Sequence, residues 1–238
     1  MHSEMATPPT AWYWPSRSGY QPALESVKWL AVACMTIDHV DHFMFGGTQH
    51  WMYEIGRLAI PLFSMAFGIG IARLHDWKGS LAKLLAFAAV AQIAWFITDQ
   101  NGVPNILFTF ALALVLVQSY QQNPTLTILM GIVLGVAVEG TYGAIALVLG
   151  AYCLERGDVR MGWWYIATGA LVTCLLSHSP VPALAVAGFY LILQLNTGPS
   201  RRLPSFLYWY YPAHILALGL LGNRTSWPML AASQFTPS

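Results

Sequence analysis

Long apolar runs recur along almost the whole chain of 238 residues, and they constrain its fold more than any other feature. Each run has about the length that an α-helix needs to cross a hydrocarbon layer of roughly 30 Å. Only 9% of the residues are charged, whereas an average soluble domain has roughly a quarter. The sequence therefore predicts an all-α helix bundle in a membrane, with no separate water-soluble domain.

Breaks rich in Gly, Pro and Asn divide the runs into about nine predicted transmembrane helices. The expected spans are residues 24–45, 51–73, 81–98, 103–120, 125–139, 141–154, 162–177, 181–195 and 206–222. Residues 1–22 form a Pro- and aromatic-rich leader that lacks the apolar core of a signal peptide. Residues 23–225 form the membrane domain, and residues 226–238 are a short tail.

Basic residues concentrate in alternate loops, which predicts the orientation of the bundle because cytoplasmic loops retain Lys and Arg. With the N-terminus in the cytoplasm, nine of the eleven basic residues fall on the cytoplasmic side. They are Arg17, Lys28, Arg73, Lys78, Lys83, Arg156, Arg160, Arg201 and Arg202. The formal net charge is only +1, so no overall field favours a nucleic-acid partner.

Two aspartates and two histidines lie within five positions of the first predicted span, in the stretch CMTIDHVDHFMF. At 1.5 Å per residue, Asp38 and His39 lie roughly 17 Å into the layer, and Asp41 and His42 about one turn further out. A charge near the bilayer centre costs about 2.5–3.5 kcal/mol, so these groups need a partner or a wet cavity. The sequence therefore predicts that they line an internal hydrated cavity.

Polar residues of other spans are expected to join this cluster. Arg57 is expected to form an interhelical ion pair with Asp38 or Asp41, and Pro61 is expected to free the backbone carbonyl of Arg57. Asn105 is expected to donate to a substrate or to a neighbouring helix. The supporting cluster is Asp41, His42, Glu54, Arg57 and Asn105, with His214 near the middle of the last span.

Five stretches carry a resemblance to a known family. They are VKWLAVACMTIDHVDHFMF, IGRLAIPLFSMAFGIGIAR, PNILFTFALALVL, TYGAIALVL and FLYWYYPAHILALGL, in this order between residues 27 and 221. Together they resemble the TraX family, the conjugative F-pilin acetylases and their relatives. The resemblance implies a bacterial inner-membrane protein that transfers acetyl from acetyl-CoA to the N-terminal amine of a pilin. It also implies distant kinship with multi-span membrane acyltransferases, in which the position matching His39 is tied to acetyl transfer.

Acetyl transfer needs a base near neutral pH, and a neutral histidine meets that need. We expect His39 to deprotonate the acceptor or to be transiently acetylated, with Asp38 or another carboxylate holding its tautomer. His214 is the second catalytic candidate. Acetyl-CoA is the expected co-substrate, and no metal is expected. Its phosphates are expected to meet Arg73, Lys78, Lys83, Arg201 and Arg202, although these residues also fit a purely topological role.

Other functions would also place ionisable residues inside a bundle. One is a membrane O-acetyltransferase that acts on a glycan, and another is a transporter of a small solute or protons. Transporters of common folds show internal symmetry. The polar residues of the first two predicted spans have no counterpart in the second half of this sequence, which argues against a transporter. A membrane chaperone that binds pilin without transferring acetyl is a third alternative. The resemblance implies a pilin as the partner, and the apolar spans imply the lipid bilayer.

Overall fold

The computed structural model describes residues 21–98, 104–135, 141–195 and 206–233, and within these ranges it contains ten helices and no strand. They are α1 (Gln21–Phe45), α2 (His50–Gly56), α3 (Ala59–Ala72), α4 (Trp77–Thr98), α5 (Ile106–Tyr120), α6 (Pro124–Gly135), α7 (Thr141–Arg156), α8 (Val159–Ser177), α9 (Val181–Leu195) and α10 (Phe206–Ser233). Helices α2 and α3 are the two halves of the second predicted span. The expected all-α architecture with about nine spans is therefore confirmed.

The exterior of the bundle is apolar, as a lipid-facing surface requires. Three segments are long and apolar enough to cross a membrane, namely His50–Ala72, which joins α2 to α3, and helices α4 and α8. Large apolar side chains point outward, and Trp164, Leu175 and Leu184 are each about two-thirds exposed. A water-soluble protein rarely leaves such surface uncovered. The chain is a membrane protein.

Contacts between helix ends establish the directions of the helices. The ring of Trp29, in the first half of α1, lies 5.4 Å from that of Phe206, the first residue of α10. The rings of His39 and His214 lie 4.9 Å apart further along both helices. Helices α1 and α10 therefore run parallel. Arg73 pairs with Glu155 at 3.0 Å, which places the last turns of α3 and α7 at one end. Both results agree with nine spans that cross the membrane in alternating directions.

The second span is interrupted, whereas the sequence predicted one continuous helix over residues 51–73. The interruption is the turn at Arg57 and Leu58, where the amide of Leu58 donates to the carbonyl of Ile55 at 3.1 Å, three residues back. Pro61 has no N–H to donate to the carbonyl of Arg57, so the regular pattern of helical hydrogen bonds is interrupted at Arg57. Helix α10 continues to Ser233, beyond the expected end of the last span at 222.

Helix α3 occupies the centre of the core, where it packs against α1, α7 and α9. Its side chains Leu62, Met65 and Ile69 are almost fully buried beside Leu147 of α7 and Phe189 of α9. Such close packing requires a small residue at the crossing of α3 and α7. A Cβ atom at Gly68 would collide with the backbone carbonyl of Val148 and approach the Cβ of Ala151 within 2.9 Å.

We expect Gly68→Val to destabilise the bundle, because a backbone carbonyl cannot move aside as a flexible side chain can. Overpacking of this kind costs roughly 1–3 kcal/mol, which thermal unfolding of the detergent-solubilised protein will measure. Gly188→Val is the matched control, since a Cβ atom at Gly188 of α9 meets nothing within 4 Å. Equal unfolding temperatures for the two variants would contradict the close approach of α3 and α7.

Candidate active site

A cavity of about 350 Å³ lies between α1, the α2–α3 span, α4, α5 and α10. Its lining begins with Lys28 near the start of α1 and Leu207 near the start of α10, and it extends to Arg57 and Leu107. Most of the wall is apolar or aromatic. The ionisable residues of this lining are Lys28, Asp38, His39, Arg57, Tyr208 and Tyr211. The sequence predicted that Asp38, His39, Asp41 and His42 line an internal cavity. Asp38 and His39 line this cavity, whereas Asp41 and His42 do not.

Asp38 and Arg57 form the expected interhelical ion pair, with Arg57 Nη2 2.7 Å from Asp38 Oδ1. Both side chains are about three-quarters buried. Arg57 also stacks on the ring of Tyr53, with its guanidinium carbon 4.3 Å from the ring centroid. Gly56 permits this arrangement, because a Cβ atom there would overlap the carboxylate of Asp38. Asp38 thus neutralises Arg57 and makes no hydrogen bond to His39 in the described part of the chain.

His39 is held by His214 across the α1–α10 interface. The Nδ1 atom of His39 lies 2.6 Å from Nε2 of His214, and the two rings are stacked at an angle of 15°. The Nδ1 atom of His214 lies 2.8 Å from the backbone carbonyl oxygen of Tyr210. The sequence placed a carboxylate against His39, and the structure places His214 there instead. Among the described residues, no hydrogen-bond partner meets Nε2 of His39.

Aromatic rings enclose the histidine pair. Trp95 of α4 stands edge-on to His39 with centroids 5.7 Å apart, and its indole N–H donates to the hydroxyl of Tyr211 at 3.2 Å. Phe43 packs against His39 and Trp95 from the outer side. These rings exclude water from one side of the site, which strengthens electrostatic interactions within it.

Two polar residues of the predicted cluster, Asp41 and Glu54, have structural roles outside the cavity. Asp41 is 3% exposed, and its Oδ1 atom accepts the backbone N–H of Gln49 at 2.9 Å. The carboxylate of Glu54 accepts the hydroxyl of Ser179 and lies 3.5 Å from His50. These contacts fasten turns at the outer end of the bundle.

Asn105 has a comparable structural role at the start of α5, where its side-chain oxygen accepts the amide of Leu107 at 3.0 Å and caps the helix. Its amide group donates to the carbonyl of Ala88 and to the side chain of Gln92. Of the two expectations for Asn105, donation to a neighbouring helix is the one observed. His42 lies outside the lining and packs edge-on against Phe43.

Of the basic residues expected near the phosphates of acetyl-CoA, the three that the structure describes, Arg73, Lys78 and Lys83, do not line the cavity. Arg73 pairs with Glu155 as described above, Lys78 lies 5.8 Å from the ring of Trp77, and Lys83 is exposed. Two of them nevertheless flank the end of the cavity nearest Lys28, because Gly70 and Leu84 are lining residues close to Arg73 and Lys83 in the chain. Arg201 and Arg202 lie outside the described residues.

Sequence reasoning missed three residues that shape this site. Lys28 was counted only for topology, yet it lines the cavity and bonds Glu25 at 2.7 Å. Its signal is spacing, since residues 28, 35 and 39 share one face of a helix. Thr36 and Tyr210 are joined through their hydroxyl groups at 2.6 Å and support the histidine pair. No sequence pattern predicts the pairing of Thr36 with Tyr210.

The sequence of this chain is similar to known proteins over most of its length. The family model described as TraX protein matches residues 23–222, a segment that includes every residue of the cavity lining. Protein TraX of Escherichia coli is 30% identical over 222 residues, which cover 82% of this chain and 85% of the relative. Protein TraX of Escherichia coli strain K12 is 29% identical over 221 residues, with the same coverage of each chain. No solved structure matches the chain.

Proposed function

The chain belongs to the TraX family, and from this premise we propose that it is an acetyl-CoA-dependent N-acetyltransferase of the bacterial inner membrane. Its acceptor is the N-terminal amine of a conjugative pilin, which it modifies during pilin maturation. The observation that carries this proposal is the position of His39, whose ring lines an internal cavity while one of its nitrogens has no protein partner among the described residues.

His39 supplies the base that acetyl transfer requires. The acceptor amine attacks the thioester carbonyl carbon, the new N–C bond forms, and the C–S bond breaks. The proton lost by the amine passes to Nε2 of His39, which returns it to the departing thiolate sulfur. Positioned general bases of this kind contribute roughly 10²–10⁴-fold to a rate. Arg57 also lines the cavity, and its charge is balanced by Asp38 at 2.7 Å.

The shape of the cavity suits the thioester arm of coenzyme A. Lys28 and His39 both line it and are eleven positions apart in α1, which corresponds to about 16 Å along the helix axis. The pantetheine arm is a linear chain of comparable length, in which methylene and methyl groups alternate with two amides and a hydroxyl group. In this arrangement the phosphates remain near Lys28, Arg73 and Lys83 at the cytoplasmic end, and the acetyl group reaches His39.

A direct test uses purified protein in lipid nanodiscs, acetyl-CoA labelled in its acetyl group, and a pilin peptide with a free N-terminal amine. We expect label on that amine, located by mass spectrometry of the peptide. The same peptide with a formylated N-terminus is the matched control and should remain unlabelled. Pilin binding without label would support a chaperone, and label on an added glycan in place of the peptide would support an O-acetyltransferase. Either outcome would reject the proposal.

A further inference from the structure

We infer that His214 is a positioning residue, whose neutral ring fixes the tautomer of His39 so that the proton-accepting nitrogen of His39 is Nε2. Its catalytic consequence rests on the proposed acetyl transfer, whereas the tautomer is a property of the protein alone. The sequence suggested His214 as a second catalytic group. Among the cavity-lining residues, however, only His39 of this pair is present.

The assignment starts from a backbone carbonyl, which can only accept a hydrogen bond. The carbonyl oxygen of Tyr210 lies 2.8 Å from Nδ1 of His214, so that nitrogen must carry a hydrogen. A neutral imidazole holds one ring proton, and Nε2 of His214 is therefore an acceptor. Hydrogen positions on histidine follow from such networks.

The second step follows the same series of hydrogen bonds from His214 to His39. Its Nδ1 atom is 2.6 Å from the acceptor nitrogen of His214, and two acceptors cannot bond each other. Nδ1 of His39 must therefore be the donor and carry the single ring proton. Its Nε2 atom then holds a free lone pair, on the ring that lines the cavity. Free histidine favours the opposite tautomer, so the protein has to impose this one.

Further contacts hold the rings of His39 and His214 in position. The hydroxyl of Thr36 lies 2.7 Å from the carbonyl of Val32 and donates to it, so the hydroxyl of Tyr210 must donate to Thr36 at 2.6 Å. The rings of Tyr210 and His214 are stacked with centroids 4.7 Å apart and an angle of 11°. Helix α10 is thereby fixed against α1 at the level of the histidines. The geometry that sets the tautomer does not depend on a bound substrate.

Ring-nitrogen NMR of ¹⁵N-histidine-labelled protein in nanodiscs tests the tautomer directly, with the His39→Gln spectrum identifying the signals of His39. In the wild type we expect a protonated Nδ1 and an unprotonated Nε2 on His39. In His214→Phe, which keeps a stacked ring without an acceptor, we expect the proton on Nε2. An unprotonated Nδ1 on His39 of the wild type would overturn the inference.

Acetyl transfer by the same proteins tests the consequence. His214→Phe should lose turnover by at least on the order of 100-fold, as other catalytic histidines do when their tautomer is wrong, with the KM for acetyl-CoA unchanged. His214→Gln should restore most of the turnover, because its amide can accept from His39 and donate to Tyr210. Wild-type turnover in His214→Phe would overturn the positioning role. So would a His214→Gln protein in which Nδ1 of His39 still carries the proton but turnover is as slow as in His214→Phe. A wild type that transfers no acetyl but shows the native tautomer would instead reject the proposed function.

Discussion

Replacing His39 with glutamine or alanine is expected to lower acetyl transfer by at least on the order of 10²-fold, the lower limit for loss of a positioned general base. The reason is geometric. Within the described part of the chain, His39 is the histidine whose ring lines the cavity. Glutamine has a similar reach and preserves the polar contact to His214, but it has no basic lone pair. Initial rates with saturating acetyl-CoA and pilin peptide give the measurement.

His75→Gln is the matched control for this experiment. His75 lies in the exposed turn between α3 and α4, outside the lining of the cavity, so its replacement should leave the rate unchanged. Size-exclusion profiles and unfolding temperatures of both variants must match the wild type for the comparison to be valid. A His39→Gln protein that is folded and transfers acetyl at the wild-type rate would remove His39 from the reaction.

The sequence was sufficient for the helices and for one specific contact. Apolar length and turn residues located most spans within a few residues, because the bilayer permits few alternatives to a helix of about 20 residues; the end of the last helix is the exception, since α10 continues from the expected end at 222 to Ser233. The pairing of Arg57 with a carboxylate of α1 followed from the cost of leaving either charge alone at that depth, although the choice of Asp38 over Asp41 did not. From Pro61 the sequence predicted that the backbone carbonyl of Arg57 lacks its helical donor, but it did not predict the turn that follows Gly56.

The partner of His39 was not predictable in the same way. His39 and His214 are 175 positions apart, and their contact exists only because α1 and α10 pack in parallel. Depth in the membrane was a poor guide for the remaining polar residues. Asp41 lies within one turn of His39 in sequence, yet its carboxylate fastens a loop by accepting a backbone N–H. Which face of a helix meets the cavity is decided by packing, and the apolar residues around α1 do not encode it.

We expect the loss of one partner of the Asp38–Arg57 pair to be among the most destabilising single changes in the protein. Both side chains are about three-quarters buried and only 2.7 Å apart, and removing one member of a buried pair typically costs about 3–5 kcal/mol. Asp38→Asn leaves the guanidinium of Arg57 charged without its carboxylate. Arg57→Ala also removes the stacking on Tyr53, so its effect should be the larger. Thermal unfolding in detergent measures both.

The double variant Asp38→Asn with Arg57→Gln separates charge from packing. It removes both charges while keeping polar groups of similar size. It should therefore be more stable than the summed effects of Asp38→Asn and Arg57→Gln, each measured alone, predict. Strict additivity would mean that the two side chains do not interact, and it would contradict the pair. Gly56→Ala leaves both charges present but places a methyl group where the carboxylate of Asp38 now lies. If the contact is what stabilises this region, Gly56→Ala should lower the unfolding temperature even though alanine favours a helix more than glycine does.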